Sequence, residues 1–401
     1  MGFINKNERL ARTDFTFYIP TQVKFGIGKA SALAGELQME DDLAAHNSVL
    51  IVSDKGVVGA GLIDKVKAGL DGSDYQVKAI FDDVPPDSDL IVVTKVAQMI
   101  QELAIDLIIA VGGGSVMDTS KLAAMIGAYG GTVRDYEGGF MIPGPCVPII
   151  AVPTTVGTGS EVSVGAVVKD HETKAKITIA SPYLYPRMAV LDPEMVATLP
   201  AKLVAYTGMD ALTHAIEAYV STENQPISEA LALRAAEMIF DNLATAVKQP
   251  DDTDARAKLQ IAAMMAGIAF SNSPVGATHA IAHTVGGLYG LHHGLSNGVA
   301  LPYVMEFNLP SCPSRYAALA RAFGVSAVDL SDLELGQRAI ERVRELNIAV
   351  GIPTRYRELN VPADDEVVKT ITEIAMCDIC MAFNPRKADF DEFQPLVRQI
   401  V

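Results

Sequence analysis

The sequence has few cysteines, a deficit of cations and no internal repeat. Four cysteines in 401 residues (Cys146, Cys312, Cys377, Cys380) cannot build a disulfide framework, and no n-region, h-region and cleavage site open the chain. A reducing cytoplasm is the expected setting. Lys and Arg number 32 against 48 Asp and Glu, a formal net charge of −16. Without a cationic surplus to neutralise phosphates, neither nucleic acid nor an anionic membrane is an expected partner. Gly and Pro follow no period, and 49% apolar against 20% charged residues excludes collagen-like, low-complexity and coiled-coil chains. What remains is a globular protein long enough for two domains, suited to small uncharged ligands or to cofactors held by backbone donors.

Charge itself is missing from two long stretches, Gly138 to Ser160 and Leu259 to Met305. Neither reads as a membrane span. The first holds Pro143, Pro145, Pro148 and Pro153; the second is interrupted by Ser271-Asn272-Ser273-Pro274, Gly286-Gly287 and His292-His293. The first half of the chain alternates β-branched runs with helical patterns: strands at 48–53, 76–81, 107–111 and 147–152, helices near 62–70 and 89–103. Continuous apolar strands separated by helices predict a parallel sheet covered on both faces. After Asp192-Pro193 the apolar spacing turns helical, as in Ser228 to Val247. The expectation is an α/β N-terminal domain over residues 1–195 and an all-α C-terminal domain over residues 196–401.

Gly112-Gly113-Gly114-Ser115 follows a strand and opens a helix at 116–128. Bare backbone at a helix N-terminus can approach a pyrophosphate, although three glycines also make a tight turn. The segment is not a G-x-G-x-x-G fingerprint, and the acidic residue that motif places downstream is replaced by Asp54, far upstream at a strand end. Asp54 suits an adenosine ribose or a helix cap equally. A second loop, Pro153-Thr154-Thr155-Val156-Gly157-Thr158-Gly159-Ser160, also follows a strand and offers hydroxyls and N–H groups without charge. Two such loops at one sheet edge fit a dinucleotide.

Five of the seven histidines fall in two segments, His214 after Asp210, and His279, His283, His292 and His293 in the charge-free stretch. Asp210 and His214 are four apart, as are His279 and His283, so each pair shares a helical face. A single buried histidine is usually a hydrogen-bonded core residue. A carboxylate joined to a histidine cluster in uncharged surroundings favours a divalent site, open to Fe(II), Zn(II), Co(II) or Mn(II) rather than Mg or Ca. Cys377 and Cys380 form a C-x-x-C without a second pair, which reads as packing or pocket.

Together these residues resemble the iron-containing (group III) alcohol dehydrogenases along essentially the whole chain. The likeness is carried by Phe25-Gly26-Ile27-Gly28, Gly112-Gly113-Gly114-Ser115 with Asp118, Pro153 to Thr158, Gly208-Met209-Asp210-Ala211-Leu212-Thr213-His214-Ala215-Ile216-Glu217, His279 through His293-Gly294, and Asn384-Pro385-Arg386. The resemblance implies the fold shared with dehydroquinate synthase: an α/β dinucleotide-binding domain and an all-α metal-binding domain, with the active site between them. It implies metal ligands Asp210, His214, His279 and His293, holding Fe(II) or Zn(II), with His283 beside the metal as the catalytic group. It implies that Asp54 contacts the ribose of NAD, that Gly112, Gly113, Gly114, Ser115 and Asp118 hold the pyrophosphate region, and that Thr154, Thr155, Thr158 and Lys176 surround the nicotinamide half. Members associate as homodimers or higher homo-oligomers.

The chain departs from the family pattern at Pro85-Pro86-Asp87, in place of Asn-Pro, and at Met381-Ala382-Phe383, in place of a smaller run. Gly165 replaces a polar pocket residue of diol-oxidising members, while Phe270 and Cys380 match pocket positions. The expected function is an NAD(H)- and metal-dependent alcohol dehydrogenase or aldehyde reductase on short primary alcohols. The alternatives are a lyase or cyclase of the dehydroquinate synthase type, which wants Lys and Arg around the metal, and a metal hydrolase.

Overall fold

The computed structural model describes residues 14–170 and 175–401. Nine strands lie in its N-terminal half: β1 Gln22–Phe25, β2 Ser48–Val52, β3 Gln76–Phe81, β4 Leu107–Gly112, β5 Gly138–Gly139, β6 Ile149–Pro153, β7 Gly165–Asp170, β8 Ala175–Ala180 and β9 Met188–Leu191. Six form an entirely parallel sheet in the order β1-β9-β6-β4-β2-β3. Successive residues of its central strands enter opposite cores. Ile108 and Ala110 join Leu50 and Val52 on one face, while Leu107, Ile109 and Val111 join Val49 and Ile51 on the other. Both faces being covered, these strands read as unbroken apolar runs.

The smaller sheet, in order β5-β8-β7, was not expected from the sequence. Its β7 alternates half-buried and buried residues, the pattern of a strand with one covered face. Two four-residue strands, β1 and β9, were also missed; both are too short for periodicity to declare. From Pro193 onward the chain is helical, principally in Ala201–Val220, Pro226–Lys248, Thr253–Asn272, Ala277–Tyr289, His293–Asn308, Asp332–Val350 and Asp365–Cys377. No helix among the described residues is long and apolar enough to cross a membrane. Gly286 and Gly287 do not break their helix as expected. The break comes at Gly290, whose φ of 67° takes the left-handed conformation that glycine enters without strain.

Contacts divide the chain into a sheet unit, Pro20–Val204 with Thr245–Met264, and a helical unit, residues 14–19 with Ala205–Ala244 and Met265–Val401. Both units are discontinuous along the chain. Residues 245–264 belong to the sheet unit and carry polar ties to the rest of it. Fully buried Arg256 donates from Nη1 to the carbonyls of Val196 and Ala197 at 2.7 and 2.9 Å, and Gln260 Nε2 lies 3.4 Å from the carbonyls of Pro153 and Asp192.

Candidate active site

In the sheet unit, β4 and β6 run side by side with Gly112 opposite Pro153, so the loops following them start at one edge. The loops press on each other. A Cβ on Gly113 would lie 2.9 Å from Thr155 Cγ2, and one on Gly114 2.8 Å from Thr158 Cγ2, so only glycine fits. Helix Gly114–Tyr129 starts there with no side-chain cap, leaving its first N–H groups to an anionic ligand. Ser115 lies in its first turn. The Thr154 N–H donates to the Gly112 carbonyl at 3.0 Å and ties the two loops together. Bare backbone at an uncapped helix start is chemically suited to an anion such as a pyrophosphate.

Other expected cofactor residues have visible structural duties. Asp54 Oδ1 caps helix Lys55–Gly59 by accepting from the Val57 N–H at 2.9 Å, which leaves Oδ2 to another donor. Asp118 is turned inward: its oxygens accept from Ser160 Oγ at 2.7 Å and the Val167 N–H at 3.0 Å. One turn later, fully buried Lys121 donates to Ser163 O, Ser163 Oγ and Gly165 O at 3.0, 3.0 and 2.9 Å, and burial pushes its amine down to about 8. Asp118 and Lys121 together clamp residues 160–167. Glu161 lies buried in that clamp, and burial pushes its carboxyl up to about 7. Lys176, on β8, pairs with Asp87 at 3.5 Å. Neither Lys121 nor Glu161 had a sequence signal beyond proximity to the loops.

In the helical unit, Asp210, His214, His279 and His293 each offer one ligand atom, and these atoms lie within 4.8 Å of one another. Asp210 and His214 share a face of helix Ala201–Val220; the other two come from helices joined through Gly290. Asp210, His214 and His279 are buried, and His293 is partly exposed. The close approach depends on Gly294, where a Cβ would lie 2.2 Å from the Tyr206 carbonyl and 3.0 Å from Asp210 Cβ.

His279 is held from behind by a carboxylate. Buried Glu217 meets His279 Nδ1 through Oε2 at 2.6 Å, and its Oε1 accepts from the Thr278 N–H at 2.6 Å. Burial would raise the Glu217 carboxyl, but its bonds to His279, Gly276 and Thr278 hold it below its usual value. A carboxylate at Nδ1 places the imidazole hydrogen there and leaves the Nε2 lone pair for a cation. One hard carboxylate and three imidazoles fit a divalent transition metal. Glu217 escaped assignment although Asp210, His214 and Glu217, at i, i+4 and i+7, lie on one helical face. Asn384 Oδ1 helps hold the same helix start, 3.3 Å from the Ala277 N–H.

His283 lies outside the four-donor set. Its Nδ1 is 2.8 Å from Asp378 Oδ2, and its ring stacks on His293 at 5.3 Å. Burial acts to raise the Asp378 carboxyl, yet His283 and Cys380 hold it well below the usual carboxylate range. Asp378 Oδ1 accepts from the Cys380 N–H at 2.9 Å, so buried Cys380 shapes the partner of His283. No local spacing pointed to Asp378, which lies far along the chain. Phe270 stacks on His214 at 4.4 Å, whereas His292 turns to Tyr206 at 5.2 Å. Gly165, in the sheet unit, presents no side chain, and its carbonyl is held by Lys121.

Two family models match this chain: iron-containing alcohol dehydrogenase over residues 20–193, and the Fe-containing alcohol dehydrogenase family, C-terminal, over residues 204–401. The NAD-dependent methanol dehydrogenase of Bacillus methanolicus is 34% identical over 382 residues, which cover 95% of this chain and 98% of that one. The 1,3-propanediol dehydrogenase of Klebsiella pneumoniae is 35% identical over 387 residues, with 96% and 98% covered. A solved structure of a 1,3-propanediol oxidoreductase matches with a TM-score of 0.92 at 34% identity, covering 97% of this chain and 100% of that one.

Proposed function

The chain belongs to the iron-containing alcohol dehydrogenase family, and we propose that it is an NAD(H)- and divalent-metal-dependent enzyme that interconverts a short primary alcohol and its aldehyde. The observation that carries the proposal is the convergence of Asp210, His214, His279 and His293, with ligand atoms within 4.8 Å. These four hold the cation, Fe(II) foremost and Zn(II) as the alternative. When bound, the metal supplies Lewis acidity towards the substrate oxygen, and NAD supplies the hydride acceptor.

The chain's own groups do the rest. Glu217 fixes the His279 tautomer, and Asp378 holds the hydrogen on His283 Nδ1, so His283 Nε2 is the base that takes the alcohol's proton. Gly112, Gly113, Gly114 and Ser115 receive the pyrophosphate; Asp118 serves them indirectly, by holding Ser160. Asp54 Oδ2 accepts from the adenosine ribose, and Thr154, Thr155, Thr158 and Lys176 surround the nicotinamide half. The names of two relatives, a methanol dehydrogenase described as NAD-dependent and a 1,3-propanediol dehydrogenase, support a short alcohol and NAD. The absence of a polar side chain at Gly165 supports the use of simple aliphatic alcohols at least as well as 1,2-diols. A homodimer or larger homo-oligomer in the cytoplasm completes the proposal.

The test is a panel of C2 to C6 alcohols, diols and aldehydes with protein loaded anaerobically with Fe(II) or Zn(II). Full activity in metal-stripped protein overturns the metal reading. A diol preference of about 100-fold or more overturns the pocket reading. Light scattering that gives a monomer removes the oligomer.

A further inference from the structure

We propose that Asn297 is a positioning residue of the metal site, whose amide keeps the ligands assembled while no cation is bound and competes with the cation for two imidazole nitrogens. The inference rests on reading Asp210, His214, His279 and His293 as a cation site. Asn297 lies one turn after His293 on helix His293–Asn308, so both side chains share a face. It is fully buried. Its Nδ2 is 2.7 Å from Asp210 Oδ1, 3.2 Å from His279 Nε2 and 3.2 Å from His293 Nε2. Three of the four expected ligand atoms therefore surround one nitrogen.

The chemistry of that arrangement is unequal. Glu217 places the His279 hydrogen on Nδ1, so Nε2 faces the amide as an acceptor. Asn297 Oδ1 is buried without a hydrogen-bond partner, so Asp210 Oδ1 and His279 Nε2, not the oxygen, set the amide's orientation; turned over, Oδ1 would face the Asp210 carboxylate. A primary amide carries two N–H hydrogens, which the Asp210 carboxylate and His279 Nε2 take up, while the role of His293 Nε2 towards the amide depends on its tautomer. The set is held together yet remains short of positive charge. An imidazole nitrogen has one lone pair and cannot accept an N–H and bind a cation together, whereas a carboxylate oxygen can do both. Loading thus exchanges the amide's contacts with His279 and His293 and spares the one with Asp210. Asn297 stabilises the metal-free protein more than the loaded protein, and by linkage it weakens metal binding by the difference.

The test compares melting temperatures of metal-stripped and Zn(II)-loaded full-length protein for the unaltered chain, Asn297→Ala and Asn297→Asp, with Zn(II) affinity measured by chelator competition. In Asn297→Ala the metal-free form should melt lower by about 2 °C and the loaded form by less than half of that. Zn(II) should then bind roughly 3- to 10-fold tighter. Asn297→Asp, which sets a carboxylate against Asp210, should show the largest rise on loading. Equal losses in both forms reduce Asn297 to packing and overturn the inference. A variant that folds only with Zn(II) supports it, and failure to fold in either state refutes it. If Zn(II) and Fe(II) do not raise the melting temperature of the unaltered chain, the metal reading fails and takes this inference with it.

Discussion

The two compact units offer their chemistry by opposite means. The sheet unit offers backbone: glycines where any Cβ would collide with Thr155 or Thr158, a helix start without a side-chain cap, and hydroxyls without charge. The helical unit offers side chains, two of them backed by carboxylates, as Glu217 backs His279 and Asp378 backs His283. A backbone site is kept by what is left out of it. A side-chain site is kept by what stands behind it, because an imidazole must be held in one tautomer and one orientation to serve as ligand or base. Substitutions should therefore act differently in the two units.

The largest effects should fall on the histidines. His279→Ala should lose metal and activity together, since three remaining ligands hold a cation weakly. His283→Ala should keep its metal and lose roughly 10²- to 10⁴-fold in kcat, the range of general acid–base groups. Metal analysis of both proteins separates them; a metal-free His283→Ala beside a loaded His279→Ala reverses the assignment.

Next is the buried carboxyl of Glu161, which tests whether the sheet unit depends on burial rather than charge. Burial pushes it up to about 7 from its ordinary 4.5, so between those values the unfolded chain has released a proton that the folded chain keeps. Stability is fully present below about 4.5 and falls as pH rises towards 7. Glu161→Gln should remove that slope, worth at most about 3 kcal/mol. Denaturant unfolding from pH 5 to 8 reads it, and unchanged slopes would show that Glu161 ionises normally.

Glu217→Gln should weaken Zn(II) or Fe(II) binding about 10- to 100-fold, the usual effect of losing the partner behind a metal-bound histidine. Unaltered affinity would make Glu217 a packing residue and break the contrast between the units. Asp54→Gly should have the smallest effect. It should relax the preference for NAD over NADP, because a carboxylate accepts from a ribose 2′-OH but repels a 2′-phosphate. It should lose only a few tenths of a kcal/mol of stability with its helix cap, because glycine is itself tolerated at that position. Equal kcat/KM for the two cofactors in the unaltered enzyme removes the basis of that assignment.

The two units were also unequally legible. In the sheet unit, the apolar runs at 48–53 and 107–111 announced their strands because both faces of these central strands are buried. Strands β1 and β9 span a single residue beyond three, so no period could form. The inward turn of Asp118 was equally hidden, since its partners Ser160 and Val167 are distant in the chain. In the helical unit, spacing of four paired Asp210 with His214, and the same spacing reached Asn297 from His293 without being used.

By itself the sequence determined the class of fold, the glycine turn and a cluster of one carboxylate with histidines, because hydrophobic periodicity, glycine and same-helix spacing are local properties; which of the histidines join Asp210 was implied by the family resemblance, not by spacing. Tertiary structure decided the rest. Only folding brings Asp378 to His283, 95 residues away, and Glu217 to His279, 62 away. Only folding returns residues 245–264 to the sheet unit through Arg256 and Gln260. A buried polar atom must find a partner wherever the packed chain presents one, and that choice depends on distances in space that no spacing along the chain encodes.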